Sequence, residues 1–261
     1  MDEHGFLHHK HVLITRGSNQ SSEMSSMIKQ HGGIPYVIPL LSFQKSESNQ
    51  DKISAVLQRL PNFDWLVLTS KNGVDFLFEW LDCLNIQPKL PKIAVIGAKT
   101  LFYLQTKGHE ADFVPTSYVA EVFVEEFITI LQSNEQVLIA KGNLARDVIA
   151  TGIRESGYLC EEIIIYDNVI PEGSEKALKD CLSENKIDII TFTSSSSVDH
   201  FMKIVKRYQL QEYILDSAIA CIGPIAKARA DKHGLIVEIC PEVYTIDGMI
   251  EAMKNYYSNN I

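Results

Sequence analysis

The chain has 261 residues, 46% hydrophobic and 22% charged, enough to bury a sizeable core as one large domain or two modest ones. No apolar run approaches the roughly 18 residues that a membrane helix needs, so a spanning segment is not expected. A net charge of −9 excludes a general nucleic-acid binder, which needs clustered Lys and Arg, and leaves any anionic ligand to be held by local donors.

In chain order, the first segment (MDEHGFLHHKHVLITRG) sets acidic and His residues where a secretory signal places a basic region, which predicts a cytoplasmic protein. His4, His8, His9 and His11 precede the first strand without metal-ligand spacing, and no metal is expected there. A short strand over 12–14 then ends in Arg16-Gly17. Residues 34–43 (IPYVIPLLSF) are β-branched and flanked by prolines, which suits a strand or linker, and 44–51 read as a loop. Within 64–75 a buried-type strand runs into Thr69-Ser70-Lys71-Asn72 and a helix, and Ile96-Gly97-Ala98-Lys99-Thr100 opens another helix, followed by a strand closing on Val114-Pro115. Beyond Tyr118, a short apolar strand within 136–142 ends in Lys141-Gly142, and 162–170 (EIIIYDNVI) form a second extended segment. The last third repeats these signals: Thr193-Ser194-Ser195-Ser196 after a strand, then Ile222-Gly223-Pro224, then Tyr244-Thr245.

That recurrence sets the organisation. Four segments of the first half return in one order about 125 residues later: 11–17 as 136–142, 64–75 as 188–199, 96–100 as 222–226 and 117–121 as 243–247. Short continuous apolar runs alternate with amphipathic ones, so the expected fold is α/β, two related lobes each built as a parallel sheet flanked by helices. The five cysteines (Cys83, Cys160, Cys181, Cys221, Cys240) contain no Cys-x-x-Cys pair and read as reduced core thiols.

In open α/β sheets a ligand sits beyond the carboxyl ends of the strands, where helix amino termini present unpaired N–H groups. Thr69, Ser70, Lys71 and Asn72, with Ser194, Ser195 and Ser196 in the repeat, stand at that junction and suit carboxylate or phosphate groups. Taken singly, Ser70 and Ser194 would simply cap their helices; the duplication is what favours a site between the lobes. Gly97 and Gly223 admit close backbone approach or merely allow tight turns. Arg16, Lys141 and Arg146 offer cations at strand ends, and Tyr118 and Tyr244 hold equivalent places in the repeat. Tyr166, in the second extended segment, is a candidate hydrogen-bond donor or weak acid. No G-x-G-x-x-G, Walker sequence, Ser-His-Asp set or H-E-x-x-H is present, which speaks against a nucleotide-dependent transferase. A binding protein that closes on an anionic metabolite uses the same clefts and stays open as an alternative.

Taken together, the strand-Thr-Arg start, the Thr-Ser-x-x-x-Val block, the Val/Ile-Gly-x-x-Thr block, and Cys-Ile-Gly-Pro followed by Pro-Glu-x-Tyr-Thr-Ile-Asp-Gly resemble the uroporphyrinogen-III synthase family over nearly the whole chain. The resemblance implies two lobes joined by a two-stranded ladder with a ligand cleft between them: 1–37 and 170–261 in a terminal lobe, 42–164 in a middle lobe, and 38–41 and 165–169 as linker strands. It implies a cofactor-free lyase acting on the octacarboxylate hydroxymethylbilane, which it closes to uroporphyrinogen III with loss of water and inversion of ring D through a spiro intermediate. Tyr166 matches the family's crossover tyrosine and Thr100 its Thr in the first Gly block; Gly97, Gly223, Pro224, Tyr244 and Thr245 fall in matching blocks. Ala98 stands where Pro is common, and Ala226 where Thr is frequent, so no hydroxyl is expected at that place. A monomer is expected, with transient contact to the preceding pathway enzyme left open.

Overall fold

The structure, a computed structural model, describes residues 5–259. The chain opens with β1 (His11–Ile14), α1 (Ser18–Gln30) and β2 (Ile34–Val37), then β3 (Ser42–Lys45). It continues through α2 (Gln50–Gln58), β4 (Trp65–Leu68), α3 (Lys71–Cys83), β5 (Lys92–Val95), α4 (Ala98–Thr106), α5 (Ala120–Phe127), β6 (Gln136–Gly142), α6 (Val148–Glu155) and β7 (Leu159–Val169). The remainder is α7 (Ser174–Glu184), β8 (Ile189–Phe192), α8 (Ser195–Arg207), β9 (Ala218–Cys221), α9 (Pro224–Lys232), β10 (Val237–Ile239) and α10 (Ile246–Asn259). No described helix is long and apolar enough to cross a membrane.

Two compact units result: Met1–Ser42 with Val169–Ile261, and Phe43–Asn168. In the first the strand order is β10-β9-β8-β1-β2, and its adjacent strands run parallel. In the second it is β3-β7-β6-β4-β5, with β7, β6, β4 and β5 parallel and Phe113 bridged to Ala94 beyond β5. Strands β4, β8 and β9 are buried at every residue, as parallel strands covered on both faces must be. In each unit one apolar cluster lies on each side of the sheet: Met24 and Ile28 of α1 on one side of the first and Val198 and Phe201 of α8 on the other. Correspondingly, Val74 and Leu77 of α3 and Ile149 and Ile153 of α6 take opposite sides of the second.

Matching repeat to repeat equates β1 with β6, β2 with β7, β8 with β4 and β9 with β5, and the order of these four is then the same in both units; β3 is an added edge strand in the second, and the Phe113 bridge stands where β10 stands in the first. In the first unit it reads 2-1-3-4-5 in its own strand sequence, the flavodoxin-like arrangement; the second is a circular permutation that starts at the third strand. The order reverses between β1 and β8 and between β6 and β4, and the following helices leave to opposite faces at each place. In the first unit this point is tied by reciprocal bonds: the Thr15 hydroxyl donates to the Thr191 carbonyl (2.7 Å) and the Thr191 hydroxyl to the Leu13 carbonyl (2.9 Å).

The segment 38–41, expected as a linker strand, is not one. Ile38 and Leu40 donate to the Ile14 and Thr15 carbonyls, both at 3.0 Å, so it trails along the end of β1, and Pro39 has no N–H to extend a regular ladder. The strand begins at Ser42 instead. Pro35 is tolerated in β2 because β2 is an edge strand. Among the cysteines, Cys181 and Cys221 are buried, but Cys83 is exposed and so departs from the expected core placement. Burial pushes the Cys160 and Cys181 thiols up to about 11 and that of Cys221 to about 12, which makes them poor nucleophiles.

Candidate functional site

Each point of strand reversal gathers residues singled out above. In the second unit, β4 ends at Leu68 and Ser70 caps α3: its backbone is extended (φ −154°, ψ 159°) and its Oγ accepts from the Gly73 N–H at 3.0 Å. Ser194 does the same for α8 (φ −158°, ψ 157°), accepting from the Ser197 N–H at 3.1 Å. The capping role is therefore realised in both repeats, and the two hydroxyls differ in where they turn next. Ser194 donates to Ser197 Oγ (3.1 Å), whereas Ser70 Oγ lies 3.1 Å from the Tyr166 hydroxyl.

Tyr166 reaches Ser70 because β7 carries a bulge. Lys141 pairs with Ile164 but Gly142 with Tyr166, so Ile165 is an extra residue. Consecutive Ile165 and Tyr166 consequently join the same apolar cluster, which an alternating strand forbids. The Tyr166 ring stacks on Phe76 (5.1 Å, 15°), meets Phe43 edge-on (6.0 Å) and is 9% exposed. It also lies against the Gly142 backbone: a Cβ there would come within 2.5 Å of two ring carbons, so any side chain at this position would have to displace the ring.

Lys141 is not a free cation. Its ammonium pairs with Asp147 at 2.5 Å and with Glu162, which Arg154 also holds at 2.9 Å. Burial works to depress the Lys141 pKa, but these two carboxylates outweigh it and hold the ammonium above the ordinary lysine value. Arg146 stands 3.5 Å from Glu121, both largely exposed. Lys71 lies 4.1 Å from the Tyr103 ring centroid and 3.9 Å from Asp75, and contact with the Tyr103 hydroxyl, then Asp75, raises its pKa. Thr69, Ile96, Lys141, Arg146 and Glu162 line a cavity of about 190 Å³ in this unit. Asn72 is half-buried beside Lys71, and in the other unit Arg16, Ser195 and Ser196 are half-buried just past β1 and β8.

A second matched pair of features lies at α4 and α9. Gly97 and Gly223 precede these helices in extended conformation, with no side-chain cap on either. The Tyr118 ring lies beside Gly97 and the Tyr244 ring beside Gly223, where a Cβ would meet them at 3.8 and 3.1 Å. Both tyrosines are 60% exposed. The first-turn N–H groups of α4 thus have neither a helical nor a capping partner, and in α9, where Pro224 brings no N–H, Ile225 and Ala226 supply them. Thr100 and Ala226, in the third position of each helix, are buried side chains. Thr245 caps the first turn of α10 through the Gly248 N–H at 3.1 Å.

The geometry is that of two anion-receptive strand-reversal points, one provided with a phenolic hydroxyl. The family model described as uroporphyrinogen-III synthase HemD matches residues 22–251. The chain belongs to the uroporphyrinogen-III synthase family. It is 30% identical to a putative uroporphyrinogen-III synthase of Methanothermobacter thermautotrophicus over 93% of this chain and 96% of that one. It is 26% identical to the uroporphyrinogen-III synthase of Synechococcus elongatus, with 95% of each covered. Among solved structures, uroporphyrinogen III synthase of Thermus thermophilus (a mutant form) superposes with a TM-score of 0.71 at 15% identity, covering 96% of this chain and 99% of that one. The Helicobacter pylori enzyme follows at 0.59 and 18%, covering 93% and 97%. These likenesses show the fold.

Within this uroporphyrinogen-III synthase family member, sequence reading missed Gly142, Phe76 and Glu162 as determinants of the site. Gly142 was visible as the partner of Gly17 in the repeat. Nothing in the sequence announces that Ser70 meets Tyr166 across 96 positions. His4 lies outside the described residues, and among the described ones no group of three or more His, Cys, Asp or Glu is arranged to hold a metal.

Proposed function

We propose that the chain catalyses its family's reaction, closing hydroxymethylbilane to uroporphyrinogen III with loss of water and inversion of ring D, in tetrapyrrole biosynthesis. The observation that carries the site is the Gly73–Ser70–Tyr166 chain of hydrogen bonds at the end of β4. Ser70 Oγ accepts from Gly73, and in the orientation in which its own hydrogen points at the Tyr166 oxygen the phenolic hydrogen is left for the substrate. Tyr166 then donates to the departing hydroxyl of the bilane, and the pyrrole nitrogens supply the electrons that expel it. The uncapped first turns of α4 and α9, with the backbone N–H groups beside Ser70 and Ser194, receive substrate carboxylates. Exposed Tyr118 and Tyr244 offer ring faces beside those donors, and Arg16, Lys71, Asn72 and Arg146 complete the set with Ser195, Ser196 and Thr245.

Lys141 acts in this reading by fixing Glu162 and Asp147, and not by binding a carboxylate directly. Its ammonium hydrogens face two acceptors already. The protein works as a cytoplasmic monomer without cofactor. Tyr166→Phe removes the donor but keeps the stacked ring, and should lower kcat about a hundredfold with little change in KM. A Tyr166→Phe enzyme as fast as the parent would remove Tyr166 from the mechanism.

A further inference from the structure

The bulge that turns Tyr166 toward Ser70 is held at both ends, and the hold on its far side comes from one residue outside the predicted site. On the near side the Ile165 carbonyl leaves the β6 ladder and accepts from Trp80 Nε1 (2.7 Å) and from the Ser46 N–H (3.3 Å). On the far side β6 ends at Gly142, one rung short of what β7 needs. Asn143 fills the gap. Its N–H donates to the Tyr166 carbonyl at 3.1 Å, its Oδ1 accepts from the Asn168 N–H at 2.9 Å, and its Nδ2 reaches the Asn168 carbonyl at 3.5 Å. The side-chain amide thus replaces the peptide group that a longer β6 would have offered, and fixes the backbone on both sides of Tyr166.

We infer that Asn143 is a positioning residue for Tyr166, its side-chain amide locking the register of the β7 bulge so that the phenol points at Ser70. The inference rests on the catalytic role given to Tyr166 above. A shift of register by one residue sends a strand's side chains to the opposite face, so without the clamp Tyr166 samples orientations in which its hydroxyl leaves Ser70. Packing against Phe76 and Phe43 restrains the ring, but neither contact fixes the strand. Asn143 is itself exposed, so its replacement leaves the core intact.

The test is a double-mutant cycle on the full chain with Asn143→Ala, Asn143→Asp and Tyr166→Phe, read by steady-state turnover of hydroxymethylbilane. It is joined to ¹⁹F spectra of 3-fluorotyrosine-labelled protein, in which the Tyr166 signal is assigned by its loss in Tyr166→Phe. The expected result is a fall in kcat of about ten- to a hundredfold for Asn143→Ala with KM nearly constant. The same change should have no further effect in the Tyr166→Phe background, and Asn143→Asp, which keeps the acceptor for Asn168, should recover most of the loss. The Tyr166 resonance should move or broaden in Asn143→Ala and return in Asn143→Asp. Losses that multiply in the double variant, or an unmoved resonance, overturn the inference. If Tyr166→Phe is fully active while the Tyr166 signal of the Asn143→Ala protein still responds, the catalytic reading of Tyr166 alone is overturned and the positioning stays intact.

Discussion

Gly142 shows how much a single missing Cβ decides. The Tyr166 ring occupies the space where that atom would be and packs against Phe76 and Phe43, so displacing it disturbs both contacts. Gly142→Ala is expected to cost about 1–3 kcal/mol of stability through overpacking and to lower kcat as the ring is displaced. Urea unfolding together with turnover checks both, and an alanine variant with unchanged kcat would show that the ring tolerates displacement. Chemistry at this scale was legible in the sequence only as residue types in places. Ser70, Ser194, Gly97 and Gly223 were found because each stands at a strand-to-helix junction and recurs in the repeat. What each hydroxyl does next was not legible, because Ser194 and Ser70 sit in the same local pattern and differ only in a partner contributed from β7.

At the scale of elements, that difference separates two otherwise equal substitutions. Ser70→Ala and Ser194→Ala should each cost about 1 kcal/mol through loss of a helix cap, whereas only Ser70→Ala should also slow turnover. Thermal unfolding and kcat measured on the pair decide this, and equal kcat losses would contradict it. Helices α8 and α9 are tied by Asp199, whose carboxylate accepts from Arg229 Nε at 2.6 Å and contacts His233 Nε2 at 2.7 Å. Burial works to raise the Asp199 pKa, but Arg229 and His233 prevail and hold it below the usual carboxylate value. A carboxyl whose pKa is lower folded than unfolded stabilises the fold above its unfolded value, about 3.9, and loses that contribution as pH falls through the folded value. Asp199→Asn should therefore destabilise the protein by about 1–2 kcal/mol at pH 7, and the gap to the parent should be smaller at a pH below about 3.9. Denaturant unfolding at both pH values measures it, and a gap independent of pH would contradict it. Strands such as β4 and β8 could be read from the sequence because each is a short apolar run that ends in a polar block. The bulge in β7 could not, since Ile164-Ile165-Tyr166 gives no alternation to break, and the strand near 38–41 was misplaced because prolines mark an edge without saying which residues pair.

The whole molecule is one strand order written twice, the second time permuted. The sequence discloses the repetition through matched blocks, but the permutation appears only when strands are placed side by side, since it concerns neighbours and not segments. The duplication also explains how a chain of net charge −9 can receive a polyanion. Donors at helix amino termini act over a short range, and each unit supplies them at its own point of strand reversal. Tyr166, by contrast, belongs to one unit alone, so in the proposed mechanism anion binding is duplicated while proton donation is not. The most direct test of the account is to give the purified chain freshly generated hydroxymethylbilane without cofactor or metal, oxidise the products and resolve the porphyrin isomers. The account predicts that the type III isomer dominates. Type I alone, the isomer of unassisted closure, from protein shown to be folded would contradict it.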